Sequence, residues 1–499
     1  MLLAIDIGST NMKAGLFRED GIAVAQAERP NIKTAGPAGT VVYDPERMWE
    51  TAASLIRDVA AAADRPCVRA VGITSMAESG LLVDPSDGKA RSPVMPWFET
   101  CSIPQAELVK REIDAKEHFF RTGLHASFKF GLAKLLWLKE RFPEAFEGES
   151  VWLSASAYIA YRLTGRMAED ETLAARTFVY RIDRREWDAP FICHFGFRPE
   201  LFPEVVAAGS AVGTVDSALA AELGLSGEPF VCLAGHDHAA ASLACSAGGD
   251  DVYNSMGTAE TLVGAFAERA LSEADFASGM SFGRHALPDR MFWMGGHSAS
   301  GGSVEWLRET IGDGTLSYAA IMKLLSSTGP DPTGILYFPY LSGSGSPRMN
   351  QAAKAAFIGL TAKHGKGDLI KAVLEGNAYQ VELMRRSAER IGGSPIERMK
   401  VVGGGAKNEV WLQIKADVSG AELIVPGTAE ATLLGAALSA GVGAGVYGSF
   451  REAANAVCCP DGKRYVPDPD RHARYRQCYE RGFMALMNPL TDYYESCFN

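Results

Sequence analysis

One local unit, met twice, limits the fold of this 499-residue chain more than any other feature of its sequence. Residues 2 to 7 make a short apolar run that breaks at Gly8, Ser9 and Thr10 and returns as a second run around Lys13 to Phe17. Short apolar runs bounded by turn residues read as buried strands joined in a hairpin. The unit recurs half a chain later, where DVYNSMGTAETLVGAF, residues 251 to 266, runs into a Gly and Thr turn and out again. Two such hairpins predict two related halves, although hairpin chemistry alone could imitate a duplication.

Between and after the hairpins the pattern alternates. Asp44 and Pro45 predict the start of a helix whose apolar stripe runs through Trp49, Ala53, Ile56, Ala60 and Ala63. Val68 to Met76, Phe230 to Ala234 and Met399 to Val402 read as buried strands that end at small or polar residues, and Ile370, Val373, Leu374, Val381 and Met384 mark a helical core face. This is the signature of an α/β fold whose ligands gather beyond the strand ends. A hydrophobic content of 47% at this length supplies two cores rather than one. The expected division is 1–243 and 244–499, because Gly248, Gly249, Asp250 and Asp251 punctuate the chain there.

A formal net charge of −11 argues against nucleic acid or an anionic membrane as the main partner. The nine cysteines are scattered except for Cys458 and Cys459, as in a reduced cytosolic protein. The first residues lack a basic leader, and no run approaches the ~20 apolar residues a membrane span requires. The expectation is a soluble, cytoplasmic protein acting on a small molecule.

Four stretches carry candidate chemistry. In DIGSTNMK, residues 6 to 13, a flexible Gly turn can set backbone N–H groups against phosphate oxygens, while Ser9, Thr10 and Asn11 add neutral donors and Lys13 a positive charge. Asp6 could orient Mg²⁺ through its hydration shell, since that ion keeps waters and takes one or two carboxylates. A plain hairpin with a solvated tip fits the same residues. Ser255, Met256, Gly257 and Thr258 could hold the other side of a polyphosphate, although a Gly before Thr is common in turns. In GGGAKNEVWLQIKAD, residues 403 to 417, the glycines either admit a nucleotide close to the backbone, with Asn408 adding a directional hydrogen bond, or simply join a strand to a helix. In GHDHAAA, residues 235 to 241, Asp237 follows a buried strand, where its carboxylate could accept the proton of an attacking hydroxyl. It could equally cap the next helix, or join His236 and His238 as a transition-metal ligand, for which no further ligand pair gives support.

Taken together, these pieces resemble the FGGY family of carbohydrate kinases, part of the broader actin, hexokinase and heat-shock-chaperone ATPase superfamily. The resemblance spans nearly the whole chain. Its most specific part is AAFIGLTAKHGKGDLIKAVLE, residues 355 to 375, with Phe357, Gly359 and Leu360, then a fixed gap to Asp368, Leu369, Ala372, Val373, Leu374 and Glu375. Lys134, Leu135, Trp137 and Leu138 match the core of the family's first signature, whereas Lys129, Gly131 and Arg141 depart from its usual choices. The resemblance implies two ribonuclease H-like (actin-like ATPase) α/β domains with an interdomain cleft that binds ATP and Mg²⁺. It assigns Asp6, Ser9, Thr10, Asn11 and Lys13 to the first phosphate site, with Asp6 toward Mg²⁺, and Gly257 and Thr258 to the second. SASGGSVEWLRE resembles the segment beside the nucleotide, mapping Gly301 and Glu305 onto binding positions, while Gly404 and Asn408 map onto the adenosine motif. Glu305 stands where related glycerol kinases carry Gln.

On the acceptor side, TSMAESGLLVD resembles the glycerol-kinase stretch that sets Arg and then Glu on polyol hydroxyls. Here those positions are Ala77 and Glu78, and the missing Arg argues against glycerol. PWFETCS resembles the family's WxDxR loop, with Glu99 for Asp and Cys101 for Arg. Glu78 and Glu99 could also be solvated loop carboxylates. Lys129 and His238 join Glu78, Glu99 and Asp237 as the implied acceptor contacts. The implied reaction is ATP-dependent phosphorylation of a hydroxyl of a small sugar or polyol, a pentulose or hexulose first and a tetritol or other polyol second, with Asp237 as catalytic base. Rival expectations are a non-catalytic ATP-regulated binding protein on the same fold and a metal hydrolase using His236, Asp237 and His238. A homodimer is a family-based expectation, with neither nucleic acid nor membrane as partner.

Overall fold

The structure, a computed structural model, describes residues 1–245, 251–312, 316–427, 430–457 and 461–498. The first hairpin forms as its apolar pattern requires: β1 (Leu2–Ile7) pairs antiparallel with β2 (Asn11–Phe17), setting Asp6 opposite Lys13. β3 (Ala23–Pro30) extends this meander. The chain then enters α1 (Pro45–Ala62), where the Asp44 carboxylate accepts the Arg47 N–H at 2.8 Å and Pro45 fills a first-turn position that needs no donor. The buried face of α1 is Met48, Ala52, Leu55, Ile56 and Val59 with Ala53 and Ala60, so the expected stripe through Trp49 and Ala63 is turned by one position. Trp49 lies at the margin beneath the Arg162 guanidinium, 4.8 Å from its ring centre, where an amphipathic ring can keep one face wet.

β4 (Ala70–Ser75) runs parallel to β1. After α2 (Gly131–Arg141) and α3 (Ala155–Thr164), β5 (Ala211–Thr214) and β6 (Phe230–His236) complete a sheet of order β5-β6-β4-β1-β2-β3. Alternate residues face opposite layers: Leu3, Ile5 and Ile7 pack with α1 and α3, while Leu2, Ala4, Cys232 and Ala234 pack on the other side. β6 leads into α4 (Asp237–Cys245).

The second hairpin, β7 (Val252–Met256) with β8 (Glu260–Ala267), begins a second sheet. With β9 (Ser281–Arg284), β10 (Arg290–His297), β11 (Arg398–Val402), β12 (Glu422–Pro426) and β13 (Asp461–Tyr465), it has the order β9-β10-β8-β7-β11-β12-β13. Omitting β9, the plan is that of the first sheet: a three-stranded antiparallel meander, two parallel strands and an antiparallel edge. The two halves are related in topology as well as in hairpin chemistry. α5 (Gly301–Gly312), the long α6 (Lys366–Gly392) and α7 (Glu409–Ser419) belong with the second sheet, and Ile370, Val373, Leu374, Val381 and Met384 all lie in its core.

α8 (Ala431–Gly443) comes from the second half of the chain, yet its small side chains cover the first sheet. A Cβ on Gly72 would lie 2.1 Å from Ala436 O, and one on Gly435 would lie 1.7 Å from Ala240 O. Backbone therefore touches backbone between β4, α8 and α4. The boundary expected after Leu243 falls in the last turn of α4, and Gly248, Gly249 and Asp250 lie outside the described residues. No helix among the described residues is long and apolar enough to cross a membrane.

Candidate active site

The turn from β6 into α4 is built to hold one carboxylate. Gly235 adopts φ +82°, a left-handed conformation that only glycine takes without strain, and a Cβ there would meet Thr172 Oγ1 at 2.7 Å. Thr74 Oγ1 donates to Gly235 O at 2.7 Å, and the His236 N–H donates to Thr172 Oγ1 at 2.8 Å. Thr172 Oγ1 in turn donates to Asp170 Oδ1 at 2.6 Å. Asp237 thus opens α4 from a bend pinned on both sides. Its Oδ1 accepts the His238 N–H at 2.7 Å and lies 3.0 Å from His236 Nε2, with 24% of the side chain exposed. Burial pushes this carboxyl up, but His238 and His236 outweigh it and hold it at about 2. It is therefore ionised at neutral pH and able to accept a proton. Burial lowers His238, against the pull of Asp237, so its imidazole favours the neutral form.

Glu78 occupies a left-handed position, φ +55°, that side chains rarely take. Two cations hold it: Lys134 Nζ donates to its carbonyl, and Arg176 donates to its Oε1 from Nε at 2.6 Å and also from Nη2. Arg176, Lys129 and His236 outweigh the effect of burial and keep the Glu78 carboxyl below its ordinary range. His238 neighbours both Asp237 and Glu78, and Lys129 neighbours Glu78. Glu99 does not join them: its Oε2 accepts the Val41 N–H at 2.7 Å and its Oε1 the Cys101 N–H at 3.1 Å, which closes its own loop. Arg176 is the residue that sequence reasoning missed; the absence of Arg at Ala77 was the one hint that Glu78 needed a partner from elsewhere.

At the first hairpin, Asp6 Oδ1 is enclosed with no hydrogen-bond partner among the described residues. Burial and the nearby Asp237 push the Asp6 carboxyl well above its ordinary value, Lys13 opposes them, and Glu430 adds to the rise. This cluster of carboxylates with an unmet oxygen fits a hard dication such as Mg²⁺. Lys13 Nζ lies 2.9 Å from both Glu430 oxygens, and Asn11 Nδ2 donates to Glu28. Ser9 is held through its carbonyl, which accepts from Tyr43 Oη at 2.7 Å, and Thr10 is exposed at the tip.

At the second hairpin, Gly257 O accepts the Gly301 N–H at 3.1 Å, and Thr258 O accepts the N–H groups of Ser300 at 2.9 Å and Gly302 at 3.0 Å. A Cβ on Gly301 would lie 2.6 Å from Gly257 O, and one on Gly403 would lie 2.6 Å from Met256 O. Gly257, Thr258, Gly301 and the glycine loop therefore form one continuous surface. Gly404 is exposed within it, and a Cβ there would meet nothing within 4 Å. Asn408 Oδ1 caps α7 by accepting the Trp411 N–H at 3.1 Å. Glu305 does not contribute: its carboxylate is taken up by Arg308, 2.9 Å from Nη2, and by Tyr318. Tyr253 on β7 feels the charges of both Asp237 and Asp6, so the two hairpins converge on the base.

The N-terminal domain model of the FGGY family of carbohydrate kinases matches residues 1–244, and its C-terminal domain model matches residues 252–444. The chain belongs to the FGGY family of carbohydrate kinases. FGGY relatives include a glycerol kinase from Gloeobacter violaceus, 28% identical over 90% of this chain and 90% of its own. A xylulose kinase from Lactococcus lactis is 26% identical over 96% of this chain and 95% of its own. The crystal structure of a xylulose kinase from Rhodospirillum rubrum superposes with a TM-score of 0.88 over 99% of both chains at 24% identity. The chain thus has the two-domain, actin-like ATPase fold of this family and is an ATP-using phosphotransferase acting on an alcohol group of a sugar or polyol.

Proposed function

We propose that this FGGY kinase transfers the γ-phosphoryl group of ATP in line to a hydroxyl of an open-chain polyhydroxyl acceptor, a pentulose or hexulose before a tetritol. The observation that carries this reading is Asp237: an ionised carboxylate, pinned at a strand end, between the Asp6 cluster on one side and Glu78 with its cations on the other. Asp237 accepts the hydroxyl proton. Glu78 and His238 orient the acceptor, with residues 1–243 supplying its contacts and the first phosphate cradle. Residues 244–499 supply the second cradle at Gly257 and Thr258 and the nucleoside surface at Gly301, Gly404 and Asn408. Asp6, alone or with Asp237, would hold Mg²⁺, which when bound neutralises phosphate charge. Positioning and charge neutralisation, rather than covalent chemistry, account for the rate.

ADP release measured over ketoses, aldoses and polyols tests this. A phosphorylated product from at least one class is expected, and ATP turnover with no such product from any acceptor would favour a nucleotide-regulated binding protein. One further reading has an observation behind it, because ligand atoms of His236, Asp237 and His238 all lie within 4.8 Å of one another. A tightly bound transition metal at unit stoichiometry in elemental analysis would support that reading against the kinase assignment.

A further inference from the structure

We propose that the acceptor carries an anionic terminus, a carboxylate or a phosphate, so that the substrate is an acid rather than a neutral sugar or polyol. This rests on the kinase reading and narrows its acceptor class. The argument is one of charge balance around Glu78. Arg176 is only 4% exposed, its guanidinium lies over the Phe130 ring at 5.1 Å, and both Nε and Nη2 are spent on the single oxygen Glu78 Oε1. Its Nη1 is enclosed and has no hydrogen-bond partner among the described residues. Lys129 stands over the Trp97 ring at 5.3 Å, and its ammonium makes no hydrogen bond or ion pair with any described residue. Its charged neighbours are Glu78, Arg176 and Lys134.

Three basic side chains, Arg176, Lys129 and Lys134, thus surround the Glu78 carboxylate, while Asp237 is engaged by His236 and Glu99 is turned onto the Val41 and Cys101 amides. An enclosed guanidinium N–H without an acceptor is costly, as is a half-buried ammonium with no ion pair, and a sugar hydroxyl brings only a dipole to them. An oxyanion can accept from a guanidinium N–H and an ammonium together, in the short, charge-assisted geometry that both groups favour. The hydroxyl end of the acceptor then lies at Asp237 and His238 and the acid end at Lys129 and Arg176. Opposite demands at the two ends give the site a direction that a neutral polyol would not read.

The test uses the full-length enzyme with four- to six-carbon aldonates, the neutral ketoses and polyols of equal length, and the corresponding terminal monophosphates. Steady-state ADP release gives kcat/KM, and calorimetry with a non-hydrolysable ATP analogue gives affinity independently of turnover. The best acid is expected to exceed its neutral counterpart by about tenfold or more, the scale of one charge-assisted hydrogen bond, and the aldonate and monophosphate arms say which oxyanion is read. Lys129→Met should lower that preference by about tenfold while Lys129→Arg keeps it, and unchanged melting temperatures exclude misfolding. A purely structural Lys129 would depress acid and neutral acceptors alike. Neutral acceptors used as well as every acid, or a preference unchanged in Lys129→Met, overturns the acid assignment and leaves the kinase reading standing. Neither binding nor ADP release with any compound overturns both.

Discussion

Asp237 is a partly exposed carboxyl and Glu375 an enclosed one, and their surroundings drive them in opposite directions. Two imidazoles hold Asp237 at about 2, so Asp237→Asn removes a proton acceptor while leaving Asp6 and the donors of both phosphate cradles in place. The expected outcome is a fall in kcat of about 10²- to 10⁴-fold with nucleotide affinity preserved, read from single-turnover transfer and nucleotide titration. A turnover number near that of the parent would end the assignment. For Glu375 burial wins and raises it to about 7, although Thr333 Oγ1 donates to it at 2.6 Å, Lys371 Nζ lies 3.9 Å away and Tyr475 Oη donates at 3.1 Å. Because its folded pKa lies above the unfolded value of about 4.3, the folded state binds the extra proton. The stability it contributes is full at low pH and lost as pH rises toward 7. Glu375→Gln does not titrate, so the stability of the parent relative to this variant should fall by roughly 3 kcal/mol between about pH 4 and 8 in denaturant titrations. A difference that does not change with pH would refute it.

Elements were legible in the sequence where the local signal was complete. The strands of both hairpins end at residues that cannot continue them, and Asp44 with Pro45 marks the start of α1. The register of α1 was not, because Met48 and Trp49 are both apolar and only packing against β2 and β3 decides which turns inward. In the site, GHDH and the two glycine turns announced themselves by motif. Arg176 lies 98 positions from Glu78 in a short helical turn with no motif around it, and their pairing exists only in three dimensions. α8 is the extreme case: its apolar, small-residue sequence reads as a core helix, but nothing in it says that the core belongs to the other half of the chain. Its glycines matter for the same reason. Gly435 leaves Ala240 O no room for a methyl group, so Gly435→Ala must push α8 away from α4 despite a helix-propensity gain of about 1 kcal/mol. A net loss of about 1–3 kcal/mol is expected, seen as a lowered melting temperature, together with reduced kcat because α4 carries Asp237. A variant more stable than the parent would mean that the two helices separate freely.

At the scale of the whole molecule, α4 is shared between the halves. Asp237 at its start continues β6 of the first sheet, while Ala241 and Cys245 pack with Tyr253, Val263 and Phe292 of the second. A triphosphate gripped by both hairpin tips would therefore set the attitude of the helix that bears the base. Any tilt of one half against the other moves Asp237 relative to the γ-phosphoryl group, and misplacement by 1 Å costs about 10²-fold in rate. Closure around the acceptor would exclude water and complete the arrangement, making water a poor substitute for the sugar hydroxyl. Acceptor-independent ATP hydrolysis should accordingly run at least about a hundredfold slower than transfer. An acceptor analogue lacking the target hydroxyl should raise hydrolysis above the acceptor-free rate, because it closes the cleft while leaving the attack to water. Phosphate release measured with and without that analogue decides the matter, and identical rates would uncouple acceptor binding from the position of the base.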